Sequence, residues 1–344
     1  MAVTELDLIS VVIPAYNCEA TLEAAVRSVL EQTWGSFEVL IIDDGSRDGT
    51  PEVIRELERM DRRVRGFRME KNDGVSAARN LGIREASGKW LFTLDDDDTL
   101  EPGTLERLFG RVTEDASDTC IGGIAFVFPD GKREEYAPSE NAVFEKDAFL
   151  KGPFPVLYDR HLISTHSNKL YDLPLIREHG IFYREELQVN EDIDFCLRYL
   201  AACRRISTDT GVYLDYNQHA AGESLITTFR ENGVEGALRN YSALEALYAG
   251  FTDTPAYRHM LVRMFEHVCS FAGLMYYRSD YGTEKRREVL RRLSEDARFR
   301  KLLAALPPSE LKNRAAAFLL RLRFTGVYDA LCRILYRDLK KRGA

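Results

Sequence analysis

The first hundred residues alternate between short apolar runs and stretches with helical spacing. Residues 8–13, LISVVI, are rich in β-branched side chains and stop at Pro14, which fits a strand buried on both faces. Residues 20–32 place Leu22, Ala25, Val26, Val29 and Leu30 at helical spacing. Residues 37–42, FEVLII, predict a second buried strand ending in the polar turn Asp43-Asp44-Gly45-Ser46. Thr50-Pro51-Glu52 reads as a cap followed by proline at the first helical position. A weaker third strand is expected over 64–69 and a helix over 75–86. Trp90–Leu94 then predicts a strand that runs into four aspartates.

Strands alternating with helices predict an α/β fold, a doubly wound and mostly parallel sheet covered on both sides. Ligands of such sheets bind beyond the carboxyl ends of the strands. The polar clusters named above all fall at such ends. Residues 119–145 differ: short apolar stretches flank Pro129-Asp130-Gly131, so a small antiparallel element is expected. Residues 185–203 predict a helix. From about Phe229 onward the pattern is nearly all helical, broken at Pro255 and Pro307-Pro308, and no internal repeat is visible.

A chain of 344 residues has room for one large domain or two moderate ones. The net charge of -8 argues against nucleic acid as a partner. Charge is uneven, however: residues 312–344 hold nine Lys or Arg against two Asp, so a basic tail follows an acidic body. The six cysteines form no CxxC pair and suit neither a zinc site nor a dense disulfide scaffold. The opening residues lack the basic and apolar regions of a secretory signal, and no stretch reaches the ~18 apolar residues of a membrane span. A reduced, cytoplasmic setting is the expectation.

Asp95, Asp96, Asp97 and Asp98 carry the strongest chemical signal. Four adjacent carboxylates repel one another unless a cation sits among them, and their hard oxygens suit Mg²⁺ or Mn²⁺. In an extended segment Asp95 and Asp97 would face one way and Asp96 and Asp98 the other, one pair toward a ligand and one bracing the loop. The rival reading is a solvated acidic turn. Another rival is the nucleophile loop of haloacid-dehalogenase-type phosphatases, matched by Asp95-x-Asp97-x-Thr99. That chemistry needs a later acidic pair, often in a Gly-Asp context, and the chain has no Gly-Asp dipeptide. A dinucleotide dehydrogenase is disfavoured because no GxGxxG follows the first strand.

Together these segments resemble family 2 glycosyltransferases. The resemblance rests on SVVIPAYN (10–17), FEVLIIDDGSRDGT (37–50), NDGVSAARNLG (72–82), SGKWLFTLDDDDTLEP from Ser87, SNKLY (167–171) and QVNEDIDFCL (188–197), in that order. It covers about residues 8 to 225 and implies the GT-A fold over 1–225, with a helical region over 226–344. It implies inverting transfer of a sugar from a nucleotide-sugar donor, a UDP-sugar, to a glycan or lipid-linked acceptor. Surface polysaccharide or glycolipid assembly is the implied context.

Residue by residue, Pro14, Ala15 and Tyr16 resemble the loop that packs on the nucleotide base. Asp44, with Asp43 beside it, resembles the carboxylate that binds the base. Arg79 resembles the cation near the base or diphosphate. Asp96 resembles the ribose contact, with Asp95 next to it, and Asp97 the metal ligand. Asp192 resembles the catalytic base, with Glu191 adjacent as an acceptor or diphosphate contact and Asp194 as a fallback. Acidic residues in a first helical turn also serve the helix dipole, so position alone does not make Asp192 a base. Tyr216-Asn217-Gln218-His219 resembles a later segment where many members carry Arg in place of Asn217 or Gln218. That leaves His219 as a metal or phosphate contact, or a structural histidine. Lys169 is either an acceptor or phosphate contact or a surface cation.

Residues 312–342 are helical by pattern, with Val327, Tyr328, Leu331, Ile334 and Leu335 in a stripe beside basic neighbours. The stripe fits peripheral contact with an anionic membrane surface, packing within the chain, or a homo-oligomer interface. The second functional reading for the whole chain is a nucleotide-sugar-binding module without catalysis.

Overall fold

The computed structural model describes residues 8–218, 231–276, 279, 281–307, 320 and 325–335. The chain divides into two compact units, Met1–Gln218 and His219–Ala344.

The first unit is built on one mixed sheet. Its strands are β1 (Ile9–Ala15), β2 (Phe37–Asp43), β3 (Val64–Arg68), β4 (Trp90–Thr93) and β5 (Thr99–Leu100). They continue as β6 (Thr119–Val127), β7 (Arg133–Tyr136), β8 (Ala142–Glu145), β9 (Lys169–Asp172) and β10 (Arg205–Asn217). The order is β3-β2-β1-β4-β9-β6-β10-β5, with β7 beside β6 and β8 beside β10. The first four strands pair in parallel. β1 and β2 are buried almost throughout, which explains their unbroken apolar runs. β9 then inserts antiparallel to both β4 and β6.

The helices are α1 (Leu22–Leu30), α2 (Thr50–Met60), α3 (Val75–Glu85), α4 (Thr104–Glu114), α5 (Lys146–Lys151), α6 (Phe154–Asp159), α7 (Leu173–Glu178) and α8 (Glu191–Ala202). α3 lies close on β1: a Cβ at Gly82 would collide with the Val12 side chain, so only glycine allows that approach.

The expected antiparallel element is present as the β6–β7 hairpin, closed by Gly131 at φ +84. The helix expected over 185–203 begins only at Glu191. The preceding residues are committed elsewhere: the Tyr183 N–H donates to Asn80 Oδ1 at 2.7 Å, and Asn80 Nδ2 donates to the Tyr183 carbonyl at 2.8 Å. Asn190, at φ +69, then redirects the chain into α8. The long strand β10 has no counterpart in the sequence reading. It pairs in parallel with β6 through two register shifts.

The second unit is helical among its described residues, with α9 (Glu231–Leu247), α10 (Pro255–Leu274), α11 (Thr283–Glu295), α12 (Ala297–Ala305) and α13 (Thr325–Leu335). Pro255 does not break a helix but opens one, at the position where a missing N–H costs nothing. On α13, Tyr328 packs against Met275, Tyr276, Leu290 and Cys332, whereas Val327 is exposed. So Tyr328 of the expected stripe is covered from within the unit; residues 308–319, 321–324 and 336–344 lie outside the described residues. Among the described residues, no helix is long and apolar enough to cross a membrane.

Candidate active site

The site forms at the carboxyl ends of β1, β2 and β4. β1 ends at Ala15, and the exposed ring of Tyr16 follows. β2 ends in two buried carboxylates. Asp43 accepts from the Ser46 N–H at 2.8 Å and from Arg68 at 2.9 Å. Asp44 accepts the Asp73 and Gly74 N–H groups, one on each oxygen, both at 2.8 Å. Asp44 thus clasps the loop that leads into α3, while burial raises its pKa above the usual carboxylate value. Gly45, at φ +74, sits where a Cβ would lie 2.9 Å from the backbone of Lys71 and Asn72.

The four aspartates do not alternate as in a strand. β4 stops at Thr93 and the chain turns, with the Asp98 N–H reaching the Asp95 carbonyl at 3.3 Å. Three of the carboxylates thereby address different elements. Asp95 receives Arg79 on one oxygen at 2.7 Å and His166 Nε2 on the other at 3.3 Å. Asp96 accepts the Tyr16 N–H at 3.3 Å. Asp98 Oδ1 accepts the Asn217 N–H at 2.9 Å, while its buried Oδ2 has no hydrogen-bond partner among the described residues. The Asn217 amide donates to the Asp97 carbonyl at 2.7 Å.

Electrostatics follow from this crowding. Burial opposes ionisation of Asp95, but Arg79 and His166 outweigh it and hold its carboxyl well below the usual range. Asp96 has no such pair of partners; burial, with repulsion from Asp97 and Asp95, pushes it up to about 6. Asp98, buried and surrounded by the other three, is raised well above the carboxylate value.

α8 closes the site from the other side. Arg79, 5% exposed, lies over the Tyr183 ring and donates to Asp95 and, through its other nitrogen, to Glu191 at 3.1 Å. The end of β4 and the first turn of α8 are therefore bridged by one guanidinium. Asp192 follows Glu191, and its Oδ1 accepts the Ile193 N–H at 2.8 Å. Desolvation, then repulsion from Glu191, pushes its carboxyl up to about 7. Burial, and then the charges of Asp95, Asp98, Asp192 and Asp97, raise the Tyr216 hydroxyl on β10 well above its usual pKa.

Two further sequence candidates are held by partners inside the fold. Asp194, 1% exposed, is held by Arg184 and Arg198 at 3.2 and 2.7 Å. Lys169, expected at the surface or on an acceptor or phosphate, is fully buried. Its ammonium donates to the Leu162 carbonyl and the Asn168 side chain at 2.6 Å, and also to the Thr165 carbonyl. Burial lowers its pKa to about 8. His219 lies outside the described residues. His166 is the site residue the sequence reading missed. A lone histidine has no spacing signal, and its only mark was its place just before SNKLY.

The sheet has the GT-A architecture. The architecture is similar to Staphylococcus aureus TarS 1-349 in complex with UDP-GlcNAc, with TM-score 0.69, 20% identity, and coverage of 96% of this chain and 91% of that one. The glycosyl transferase family 2 model matches residues 10–206, and the chain belongs to that family of glycosyltransferases. It is 28% identical over 260 residues to the putative glycosyltransferase EpsH of Bacillus subtilis, covering 75% of this chain and 74% of that protein. It is also 27% identical over 278 residues to the succinoglycan biosynthesis protein ExoO of Rhizobium meliloti, covering 80% and 78%.

Proposed function

We propose that the chain moves a sugar from a UDP-sugar to an acceptor hydroxyl, with inversion at the anomeric carbon, in polysaccharide or glycolipid assembly. The observation that carries this reading is Arg79, which joins the aspartate-bearing end of β4 to the helical turn holding Asp192. A donor diphosphate at the aspartates and a base on α8 then face one space, as a single in-line displacement requires. A fold neighbour solved with UDP-GlcNAc and a relative named for succinoglycan biosynthesis support the choice of donor and product.

In this mechanism the exposed Tyr16 ring, with Pro14 and Ala15, receives the base, Asp44 flanks it, Arg79 lies toward the diphosphate, and Asp96 reaches the ribose. The donor atoms near β4 suit Mn²⁺ or Mg²⁺. They are hard oxygens, and Asp98 keeps one buried oxygen without a hydrogen bond among the described residues. Among the described residues no three His, Cys, Asp or Glu side chains converge as a cage. Ions of this kind are ordinarily held by one or two carboxylates plus substrate phosphates. Asp97 and the open Asp98 oxygen would hold the ion, with His219 as a further candidate. When bound, it offsets charge developing on the leaving diphosphate. Asp192 accepts the acceptor proton, and a midpoint near 7 matches a base working at neutral pH. Glu191 stays neutralised by Arg79, which leaves Asp192 unpaired by a cation among the described residues.

Residues 1–225 would carry donor binding and chemistry, and 226–344 acceptor, membrane-surface or oligomer contacts. The enzyme would act on the cytoplasmic side of a membrane. The test is UDP release from a panel of UDP-, GDP- and dTDP-sugars with and without Mn²⁺, with the product anomer read by NMR. A Mn²⁺-dependent preference for UDP-sugars and an inverted anomer are expected; a retained anomer overturns the mechanism.

A further inference from the structure

Arg79 has a long, rotatable side chain surrounded by a choice of carboxylates, and something must fix its choice. It binds Asp95 and Glu191, and its charge also acts on Asp192. Were it to swing onto Asp192, the base would be paired and weakened. The Glu191 contact alone is one hydrogen bond to a partly exposed side chain. The firmer tether is Asp95, whose second oxygen is held by His166.

His166 is 4% exposed and its ring is fixed on both edges. Nδ1 meets two hydroxyls, Thr93 Oγ1 at 2.9 Å and Tyr183 OH at 3.0 Å, either of which can donate to it. Nε2 faces two oxygens at 3.3 Å: Asp95 Oδ2, an ionised acceptor, and Ser167 Oγ, a hydroxyl that can accept as well. This partner set selects the neutral tautomer with the proton on Nε2. Burial, and then the neighbouring Arg79 charge, lower the His166 pKa, so the ring stays neutral at physiological pH. Tyr183, which holds the other edge of His166, also carries the Arg79 guanidinium over its ring.

We propose that His166 is a positioning residue: its Nε2–H locks Asp95, Asp95 locks Arg79 onto Glu191, and Asp192 is thereby left free to act as base. The proposal rests on the functional reading above in taking Asp192 as the base. The charged and titratable groups that interact with Asp192 include Glu191, Arg79, Asp95, Cys196, Tyr216 and Lys169, whose ammonium is held by the carbonyls of Leu162 and Thr165. Of these, Arg79 is the cation His166 controls.

The experiment compares kcat and KM for UDP-sugar across pH 5–9 in His166→Gln, His166→Asn and Asp192→Asn. Gln carries an amide N–H near the position of Nε2 and can still reach Asp95. Asn reaches only as far as Nδ1, so it serves Thr93 and Tyr183 but not Asp95. The expected result is a loss of kcat of about tenfold or more in His166→Asn, with the acid limb of its profile moved to lower pH and KM changed less. His166→Gln should recover most of the rate and the original limb. A His166→Asn profile superimposable on the wild type overturns the proposal. So does equal impairment of both His166 variants with an unmoved limb, the signature of a merely structural histidine. In either case an inactive Asp192→Asn leaves the base assignment standing. An active Asp192→Asn removes the base and the proposal together.

Discussion

Each unit holds a buried charge cluster, and the two are balanced in opposite ways. In the helical unit, Asp329 is fully buried. It is met by Arg286 and Arg333 at 3.2 Å, by Arg287 at 3.9 Å and by the Tyr276 hydroxyl. One carboxylate is over-supplied with cations that reach back to solvent. In the sheet unit, Asp95 and Glu191 share one buried guanidinium, Arg79, while burial and neighbouring carboxylates raise the pKa values of Asp96, Asp98 and Asp192. A cluster that ties elements together satisfies itself. A cluster that leaves negative charge over is costly as it stands, and that excess is what a cation and a reacting hydroxyl can use.

The largest effect should come from the site. Asp192→Asn should cut transfer by ~100- to 10,000-fold, the usual range for a general base, with UDP-sugar affinity preserved by calorimetry. Retention of most turnover would erase the contrast. Asp329→Asn probes the other cluster. It should cost about 3 kcal/mol of stability, because three arginines lose their common partner, and kcat should hold. A change in kcat without loss of stability would mean the two clusters do not divide their work in this way.

A third prediction concerns pH. With the Asp192 midpoint at about 7, the ionised base is lost as pH falls through that value. Turnover should drop about tenfold per unit below it and level off above it. A flat rate profile from pH 5 to 8 would contradict the raised midpoint. The smallest effect is expected at Asp98. Asp98→Asn removes a buried charge from a crowded set while keeping an oxygen for the Asn217 N–H. Without Mn²⁺ the variant should gain about 1 kcal/mol, seen as a rise of a few degrees in thermal midpoint, and stabilisation by UDP with Mn²⁺ should shrink. Destabilisation without metal would show that the carboxylate is structural.

Much of this was legible in the chain because the signals are local. The apolar runs predicted β1, β2 and β4, and the aspartates at their ends are where the sheet places the site. Arg79 and Asp192 stand out in the sequence only through ordered motifs, and the Arg79 contacts to Asp95 and Glu191 have no local signal. What escaped depends on distant partners. Nothing near His166 announces Asp95, which is 71 residues away in the chain. Asp192 and Asp194 look alike in sequence, and only the arginines around Asp194 separate them. Lys169 reads as an acceptor or phosphate contact or a surface cation, and nothing local announces that the carbonyls of 162 and 165 fold around it. The carboxylates after β4 obey a turn rather than the two-residue alternation of a strand, because the ladder has already ended at Thr93.

The two neighbours on α3, Arg79 and Asn80, face different duties: one reaches the aspartates, the other holds the chain just ahead of α8. Adding or deleting one residue between Val75 and Arg79 would rotate everything beyond it by roughly 100°. Drift in length should therefore be rare in that one turn of helix. An engineer seeking new acceptors would do better to vary other segments and leave this turn's count alone.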